Sequence, residues 1–320
     1  MNEFPTQGRL PPELIEIGPE QEGQRIDNFL TTYLKGVPKS FIYRVLRSGE
    51  VRVNKGRAKP TYRLKEGDTV RIPPMRRGEP QTAGAPGKKL VALLNESILY
   101  EDAGLLIINK PSGIAVHGGS GVSFGVIEIL RAARPEAPFL ELVHRLDRDT
   151  SGCLMIAKKR SALRHIHQLL REEGMEKRYQ ALIQGPWHGG ERRVTAALRK
   201  NVLQSGERVV RVEAEGKQSQ TLFRPLQRWP MATLVEAVPL TGRTHQIRVH
   251  AAHLGQPIAG DEKYGDAEFN RAMQEKGLRR LFLHAASLSF TAADGNRIAV
   301  SAPLDPALKK VLAALGNAIG

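Results

Sequence analysis

Apolar residues in the first quarter of the chain recur at the spacing of two short helices. The second helix is predicted over PKSFIYRVLRSG, with Ser40 as its N-cap and Gly49 as the left-handed residue that ends it. The stretches VRVNKGR and RLKEGDTVRI alternate around turns and predict short strands. The first helix follows GQR, and its apolar face comprises Ile26, Phe29, Leu30, Tyr33 and Leu34.

Short strand-like runs dominate the rest of the chain, with two helix-like segments between them. The runs are LLIIN, CLMIA, YQALIQ, RVVRVEA, ATLVEAV and LFLHAASLSF, and the helix-like segments are SALRHIHQLLREE and THQIRVHAAHLG. This pattern predicts an α+β domain with a mostly antiparallel mixed sheet over residues 93–315. A small αβ domain is predicted over residues 20–76, and the Pro- and Gly-rich stretch after it predicts a linker over residues 77–92.

The composition is that of a globular protein. Of 320 residues, 41% are apolar and 25% are charged, which is ordinary for a folded domain pair. No apolar run is long enough to span a bilayer, and the first residues lack the pattern of a signal peptide, so we expect a cytoplasmic protein. The single cysteine, Cys153, lies in an apolar run and is interpreted as a small buried side chain.

The formal net charge of +15 changes this picture, because it favours a polyanionic partner. Residues 20–76 hold 13 basic and 6 acidic side chains, so the small domain is the most basic part of the chain. A membrane surface would also attract such a charge, but the chain offers no basic amphipathic anchor with an aromatic face. Nucleic acid is therefore favoured, and a basic surface that serves solubility alone is the alternative.

Several common chemistries lack their motifs. The chain has neither a phosphate-binding G-x-x-x-x-G-K-[ST] loop nor the H-E-x-x-H or C-x-x-C patterns. We therefore expect no nucleotide cofactor and no metal, and interpret Ser151 as a turn residue. The nine histidines, including His245, His250 and His253, are interpreted as solvated or hydrogen-bonded side chains.

The stretch VHRLDRDTSG, residues 143–152, concentrates charge between two apolar segments. It forms either an exposed loop of weak ion pairs or a catalytic loop presented by two buried strands. In the second case a carboxylate held there needs a cationic partner. Asp147 and Asp149 are then both candidate catalytic carboxylates.

The basic small domain resembles the RNA-binding module named after ribosomal small-subunit protein four. The resemblance rests on the order RIDNFL, SFIYRVLRSGEVRVNKGR and LKEGDTVRI, and a generic basic αβ domain is the alternative. The resemblance implies contacts with RNA phosphates, which position the RNA without identifying its sequence. The candidate RNA-binding residues are Lys39, Arg44, Arg47, Lys55 and Arg57.

Four stretches of the large domain together resemble the pseudouridine synthase family that modifies large-subunit ribosomal RNA. They are INKPSGIAVHGG, HRLDRDTSG, KRYQALIQG and PLTGRTHQIRVH. The resemblance implies that a uridine is isomerised in place, without a cofactor. It implies that Asp147 acts on the ribose as a nucleophile or as a base, and the sequence does not decide between the two.

The resemblance also implies roles for other residues. Arg248 pairs with Asp147, Arg145 fills the gap that the extruded uridine leaves in the RNA, and Tyr179 stacks on the uracil and takes the proton from carbon five. A core aromatic is the alternative role for Tyr179. Arg148 is a further candidate for RNA contact and, with Asp149, holds the shape of the loop. The floor of the site is assigned to Asn109, Lys110 and Pro111.

The resulting hypothesis is a synthase that acts alone, as a monomer without an obligate protein partner, on several uridines of 23S rRNA or its precursor. Two alternatives stay open. The first is a synthase for a different rRNA site or for tRNA, and the second is a non-catalytic RNA-binding assembly factor.

Overall fold

The chain forms two compact units, residues 1–85 and 86–320. The computed structural model describes residues 12–34, 37, 39–74, 86–118, 124–202 and 208–318. The predicted linker over residues 77–92 extends too far, because a helix, Lys88–Glu96, begins inside it. Leu90, Val91 and Leu94 follow helical spacing there, and burial of Leu94 stabilises a segment that its Pro and Gly content had assigned to the linker. Residues 77–85 of the predicted linker lie outside the described residues.

The N-terminal unit combines two helices with a four-stranded antiparallel sheet in the order β1-β4-β2-β3. The predicted apolar faces are buried: Ile26, Leu30, Ile42 and Val45 are all 0% exposed. Its elements are β1 (Glu13–Glu16), a short 3-10 helix (Pro19–Gln21), α1 (Ile26–Tyr33), α2 (Lys39–Ser48), β2 (Arg52–Val53), β3 (Gly56–Arg57) and β4 (Thr69–Ile72).

The two ends of α2 and the turn between β2 and β3 can be compared with the local predictions made from the sequence. Gly49 has the left-handed conformation expected after α2, with φ of +75°. Ser40 is not the N-cap, because the helix already includes Lys39. Asn54 and Lys55 both have positive φ and form the tight turn between β2 and β3, which exposes the Lys55 side chain.

The second unit is built on an eleven-stranded sheet in which β11-β10-β12-β13-β9-β14-β8-β6-β5 are successive neighbours, with β15 beside β14 and β7 beside β8. Among the described strands every pairing is antiparallel except that of β8 with β14, which confirms the predicted mixed α+β class. The elements are α3 (Lys88–Glu96), β5 (Ile98–Glu101), β6 (Leu105–Lys110), α4 (Val126–Ala133), β7 (Glu141–Leu142), β8 (Ser151–Ala157), α5 (Arg160–Arg171), β9 (Met175–Gln184), β10 (Arg192–Val202), β11 (Arg208–Val212), β12 (Lys217–Arg228), β13 (Ala232–Pro239), α6 (Gln246–His253), α7 (Ala267–Glu275), β14 (Leu283–Thr291), β15 (Arg297–Ser301) and α8 (Pro306–Ala314).

Two hydrophobic clusters hold this sheet. One surrounds β6 and β8, and every residue of β8 is buried. The other surrounds β9 and β13. Cys153 is buried as predicted, and burial raises the pKa of its thiol to about 11, so it is not a nucleophile at neutral pH. Tyr179 packs against both clusters, which places it where the two halves of the sheet meet.

Across the described ranges, each helix is too short or too polar to cross a membrane.

Candidate active site

The loop that enters β8 carries Asp147 and is anchored on both sides of it. Leu146 and Thr150 are buried, and the Thr150 N–H donates to the Asp147 carbonyl at 3.2 Å. Gly152 has φ of +107°, and a Cβ there would overlap the backbone of Ala285 in β14. A glycine is therefore required for β8 to approach β14 where the loop ends.

A buried lysine fastens this loop to the segment that follows β6. Lys110 is 0% exposed, and its ammonium donates to the carbonyls of Pro111, Ile114 and Arg148, each at 2.9 Å. Arg148 in turn donates from Nε to the Gly113 carbonyl at 3.1 Å. The sequence assigned Lys110 to the floor of the site. The structure corrects this, because the described lining of the cavity does not include Asn109, Lys110 or Pro111.

Replacing Lys110 by Met is expected to lower the free energy of unfolding by about 2–5 kcal/mol, because three carbonyls that face a buried ammonium lose their donors. Burial lowers the pKa of Lys110 to about 7 from its ordinary 10.5. The unfolded chain therefore binds this proton more strongly, and the stability of the wild type rises relative to Lys110→Met as pH increases from about 7 to about 10.5.

Urea denaturation followed by tryptophan fluorescence measures this difference, since both tryptophans, Trp187 and Trp229, are buried in the large unit. Lys158→Met provides a control, because Lys158 is a partly exposed lysine whose salt bridge to Glu101 contributes little. An unchanged gap between wild type and Lys110→Met across that pH range would contradict the buried position of the ammonium.

Helix α6 brings Arg248 to the Asp147 carboxylate. Arg248 Nη1 donates to Asp147 Oδ2 at 3.2 Å, so the partner of Asp147 lies 101 residues away along the chain and not within its own charged stretch. The pair predicted from the sequence is therefore present. Burial opposes the charge of Arg248, yet hydrogen bonds and charges from Asp261 and Asp147 raise the pKa of its guanidinium above the ordinary value.

Asp261 is the residue that holds this arginine, and the sequence did not identify it. Its two carboxylate oxygens accept from Arg248 Nε at 2.7 Å and Nη2 at 2.8 Å, and the side chain is 1% exposed. The N–H groups of Lys263 and Tyr264 also donate to it, each at 3.0 Å. Burial acts to raise the pKa of Asp261, but Arg248 and these donors lower it overall. In the stretch AGDEKYG the sequence alone does not distinguish Asp261 from the neighbouring Glu262.

Asp147 lies at the wall of a cavity of about 650 Å³. Tyr179 lies in β9 between Ala237 of β13 and Ala285 of β14. Burial and the charge of Asp147 raise the pKa of its phenol, so the phenol is protonated at neutral pH. Its contacts with both core clusters agree with the alternative of a core aromatic, but it also lines the cavity. Other lining residues are Arg145, Lys177, Arg243, His245 and Arg248.

The remaining predicted residues lie in different places. Arg145 is exposed at the cavity, whereas Arg148 is exposed but engaged with Gly113. The other candidates belong to the N-terminal unit. Arg44 and Arg47 are exposed on α2, with Arg44 stacked 4.5 Å from the Phe41 ring centroid, and Lys55 and Arg57 are exposed at the β2–β3 turn. The Lys39 side chain lies outside the described part of the chain.

The histidines near this site are hydrogen-bonded. His250 is 0% exposed and lies 3.0 Å from Ser219 Oγ and 2.9 Å from Thr221 Oγ1, and burial lowers its pKa to about 4. Within the described residues, no group of three His, Cys, Asp or Glu side chains could hold a metal ion. Ser151 is not a turn residue, because it begins β8 and bonds to His284 Nδ1 at 2.8 Å.

Comparison with known proteins shows the family of the chain. The RNA pseudouridylate synthase family model matches residues 104–253, and the S4 domain model matches residues 24–70. Ribosomal large subunit pseudouridine synthase C of Salmonella typhimurium is 59% identical over 310 residues, which cover 96% of this chain and 97% of the relative. The enzyme of the same name from Pasteurella multocida is 57% identical over 305 residues, covering 95% and 94%.

The chain belongs to the pseudouridine synthase family. It is therefore an isomerase that converts uridine to pseudouridine in RNA. The solved structure of human RNA pseudouridylate synthase domain containing 4 resembles it with a TM-score of 0.60 and 26% identity, over 71% of this chain and 95% of the human chain. The S4 match within residues 20–76 agrees with the resemblance inferred for the basic small domain.

Proposed function

We propose that this synthase isomerises several uridines of 23S rRNA, with Asp147 as the catalytic carboxylate and no cofactor. The main support is the ion pair of Asp147 with Arg248 at the wall of a cavity that Tyr179 also lines. Relatives that are 57–59% identical and carry the name ribosomal large subunit pseudouridine synthase C support the choice of RNA.

The reaction breaks the bond between ribose C1′ and uracil N1 and forms a bond between C1′ and uracil C5. The proton on C5 leaves, and N1 gains a proton, so no redox change occurs. Uracil is a poor leaving group, and a carboxylate positioned at the ribose assists either as a nucleophile on the sugar or as a base that removes a sugar proton. Arg248 balances the negative charge of Asp147 as the RNA phosphates approach.

The target base must leave its stack to enter the cavity, at a cost of a few kcal/mol. Arg145, exposed at the cavity, fills the space that the base leaves. Tyr179 stacks on the uracil. Because its phenol is protonated at neutral pH, in this proposal its oxygen takes the C5 proton as its own proton passes to the Asp147 carboxylate.

The N-terminal unit contributes phosphate contacts through Lys39, Arg44, Arg47, Lys55 and Arg57, and Arg148 adds one near the cavity. Exposure of Arg44, Arg47, Lys55 and Arg57 and the S4 match support this assignment. We further propose that the enzyme is cytoplasmic, where ribosomal RNA is assembled, and that it acts as a monomer.

Incubating the purified protein with separate transcripts of 23S rRNA, 16S rRNA and tRNA tests the substrate. Pseudouridine mapping by reverse transcription is expected to show conversion at several separated uridines of the 23S transcript alone. Conversion in tRNA or at another rRNA would assign the substrate to the first alternative. Absence of conversion in the 23S transcript would overturn this choice of substrate.

A further inference from the structure

His245 faces the catalytic carboxylate from the side opposite Arg248. Its Nε2 lies 3.7 Å from Asp147 Oδ1, whereas Arg248 Nη1 contacts Oδ2 at 3.2 Å. The His245 side chain is 16% exposed and lines the cavity. A distance of 3.7 Å exceeds a hydrogen bond, but catalytic contacts of this kind shorten when substrate binds.

Tyr264 contacts the other imidazole nitrogen, Nδ1. The Val210 N–H donates to Tyr264 Oη at 2.9 Å, and the same oxygen lies 2.7 Å from His245 Nδ1. Because the hydroxyl accepts from Val210, its own proton is available to donate to Nδ1. The imidazole proton is then on Nε2, the nitrogen that faces Asp147.

The surroundings keep this imidazole neutral. Burial lowers the pKa of His245, the charge of Asp147 opposes this shift, and the charges of Arg248 and Lys263 add to it. Because the Arg248 guanidinium lies close to Asp147 and Tyr264, the two residues that His245 also faces, a second cation there is disfavoured. A neutral Nε2–H donates to a carboxylate without adding a second positive charge to the site.

The backbone of His245 adds a further observation. Its φ of +53° is in the left-handed region, at the position that precedes α6. Glycine or asparagine would adopt this conformation with less strain. Strain of this kind persists where a side chain is needed for function, and here the strained residue places its imidazole against Tyr264 and Asp147.

We propose that His245 is a positioning residue for Asp147: its Nε2–H, oriented by Tyr264, holds Oδ1 while Arg248 holds Oδ2. The inference rests on the proposed role of Asp147. Both supports end in the turn that carries Asp261 and Tyr264, because Asp261 holds Arg248 and Tyr264 holds His245. The carboxylate is thereby kept in one rotamer, with its free lone pairs directed into the cavity.

Two amide variants separate this role from a structural one. His245→Gln places an N–H near the position of Nε2, whereas His245→Asn suits the left-handed backbone but is too short to reach Asp147. We expect kcat for tritium release from C5-labelled uridine in 23S rRNA to fall roughly 10-fold or more in the Asn variant and less in the Gln variant. KM is expected to stay within about two-fold and stability at or above that of the wild type for Asn.

Tyr264→Phe gives a second readout, because it removes the hydroxyl that contacts His245 Nδ1. Tyr264→Phe is expected to lower kcat in the same direction as the Asn variant.

Equal kcat in the wild type and both variants would overturn the positioning role, as would a fall in kcat that is matched by the fall in stability. Asp147→Asn, measured in parallel, keeps the two hypotheses apart. If that variant stays active, the assigned role of Asp147 fails. If it is inactive while the His245 variants match the wild type, only the role of His245 fails.

Discussion

Asp147→Asn is expected to lower the rate of pseudouridine formation by at least about 10³-fold, which is typical when a group that acts at the reacting atoms is removed. The amide has nearly the shape of the carboxylate but can neither attack the ribose nor remove a proton from it. RNA affinity should change little or increase slightly, because a negative charge near the phosphates is lost. Tritium release from C5-labelled uridine measures the rate, and filter binding measures the affinity.

Asp149→Asn is the matched control, because it lies two residues away in the same loop. Its side chain is exposed, and its carbonyl, which the substitution leaves in place, accepts from Ser112 Oγ at 2.8 Å. The control should keep close to full activity. Loss of activity in Asp149→Asn with retention in Asp147→Asn would exchange the two candidates left open by the charged stretch.

Local patterns of the sequence predicted the surroundings of Asp147 well. The run CLMIA is a fully buried strand, and THQIRVHAAHLG contains α6, so the spacing of apolar residues correctly placed the elements on which Asp147 and Arg248 are carried. The pairing of these two residues came from the resemblance to the family, because a contact across 101 residues has no signature in local periodicity.

Other parts of the fold were missed for a physical reason. Strand β10, Arg192–Val202, and strand β12, Lys217–Arg228, carry many charged and polar residues. A strand with one face in solvent needs few apolar side chains, and register with its neighbours stabilises it instead. Such strands are difficult to distinguish from loops until their partners are known.

The site residues that the sequence did not identify have partners that are distant in the chain or are backbone atoms. Asp261 accepts from Arg248 and from two backbone N–H groups, and Tyr264 accepts from the Val210 N–H. Periodicity and motif spacing contain no information on such contacts. A buried charge in a loop sequence such as AGDEKYG looks the same as an exposed one, and only the fold distinguishes them.

The support of Asp147 thus comes from segments that are far apart in the chain. Lys110 fastens the loop from behind, and Arg248 reaches Asp147 Oδ2 from α6. Asp261 acts as a clamp, because it holds the Arg248 guanidinium with two hydrogen bonds. The orientation of Asp147 therefore depends on a residue that does not touch it. The effect of removing that clamp should therefore appear in both stability and rate.

Asp261→Asn is expected to lower the free energy of unfolding of the large unit by about 3–5 kcal/mol, because one partner of a buried ion pair is removed and Arg248 is left with the hydrogen bond to Asp147. The amide keeps the size of the side chain, but it can no longer accept both guanidinium donors, and the Arg248 cation stays 12% exposed. We also expect the rate to fall roughly 10²-fold, because a displaced Arg248 no longer orients Asp147.

The stability difference between wild type and Asp261→Asn is expected to depend on pH. Arg248 and backbone donors hold the pKa of Asp261 below its ordinary value of 3.8. Its contribution to stability is therefore fully present above about pH 4 and is lost as the pH falls further towards the folded-state pKa. The gap in stability between wild type and Asp261→Asn should narrow in that acid range. Urea denaturation followed by the fluorescence of Trp187 and Trp229 measures it.

Asp294→Asn provides the control, because Asp294 lies in a surface turn and accepts from the neighbouring Asn296. It should change stability by about 0.5 kcal/mol or less. If Asp261→Asn matched this control in stability while keeping the full rate, Arg248 would not depend on Asp261 for its position. A loss of rate without a loss of stability would show that the clamp acts on geometry alone, since Arg248 would then find another partner for its charge.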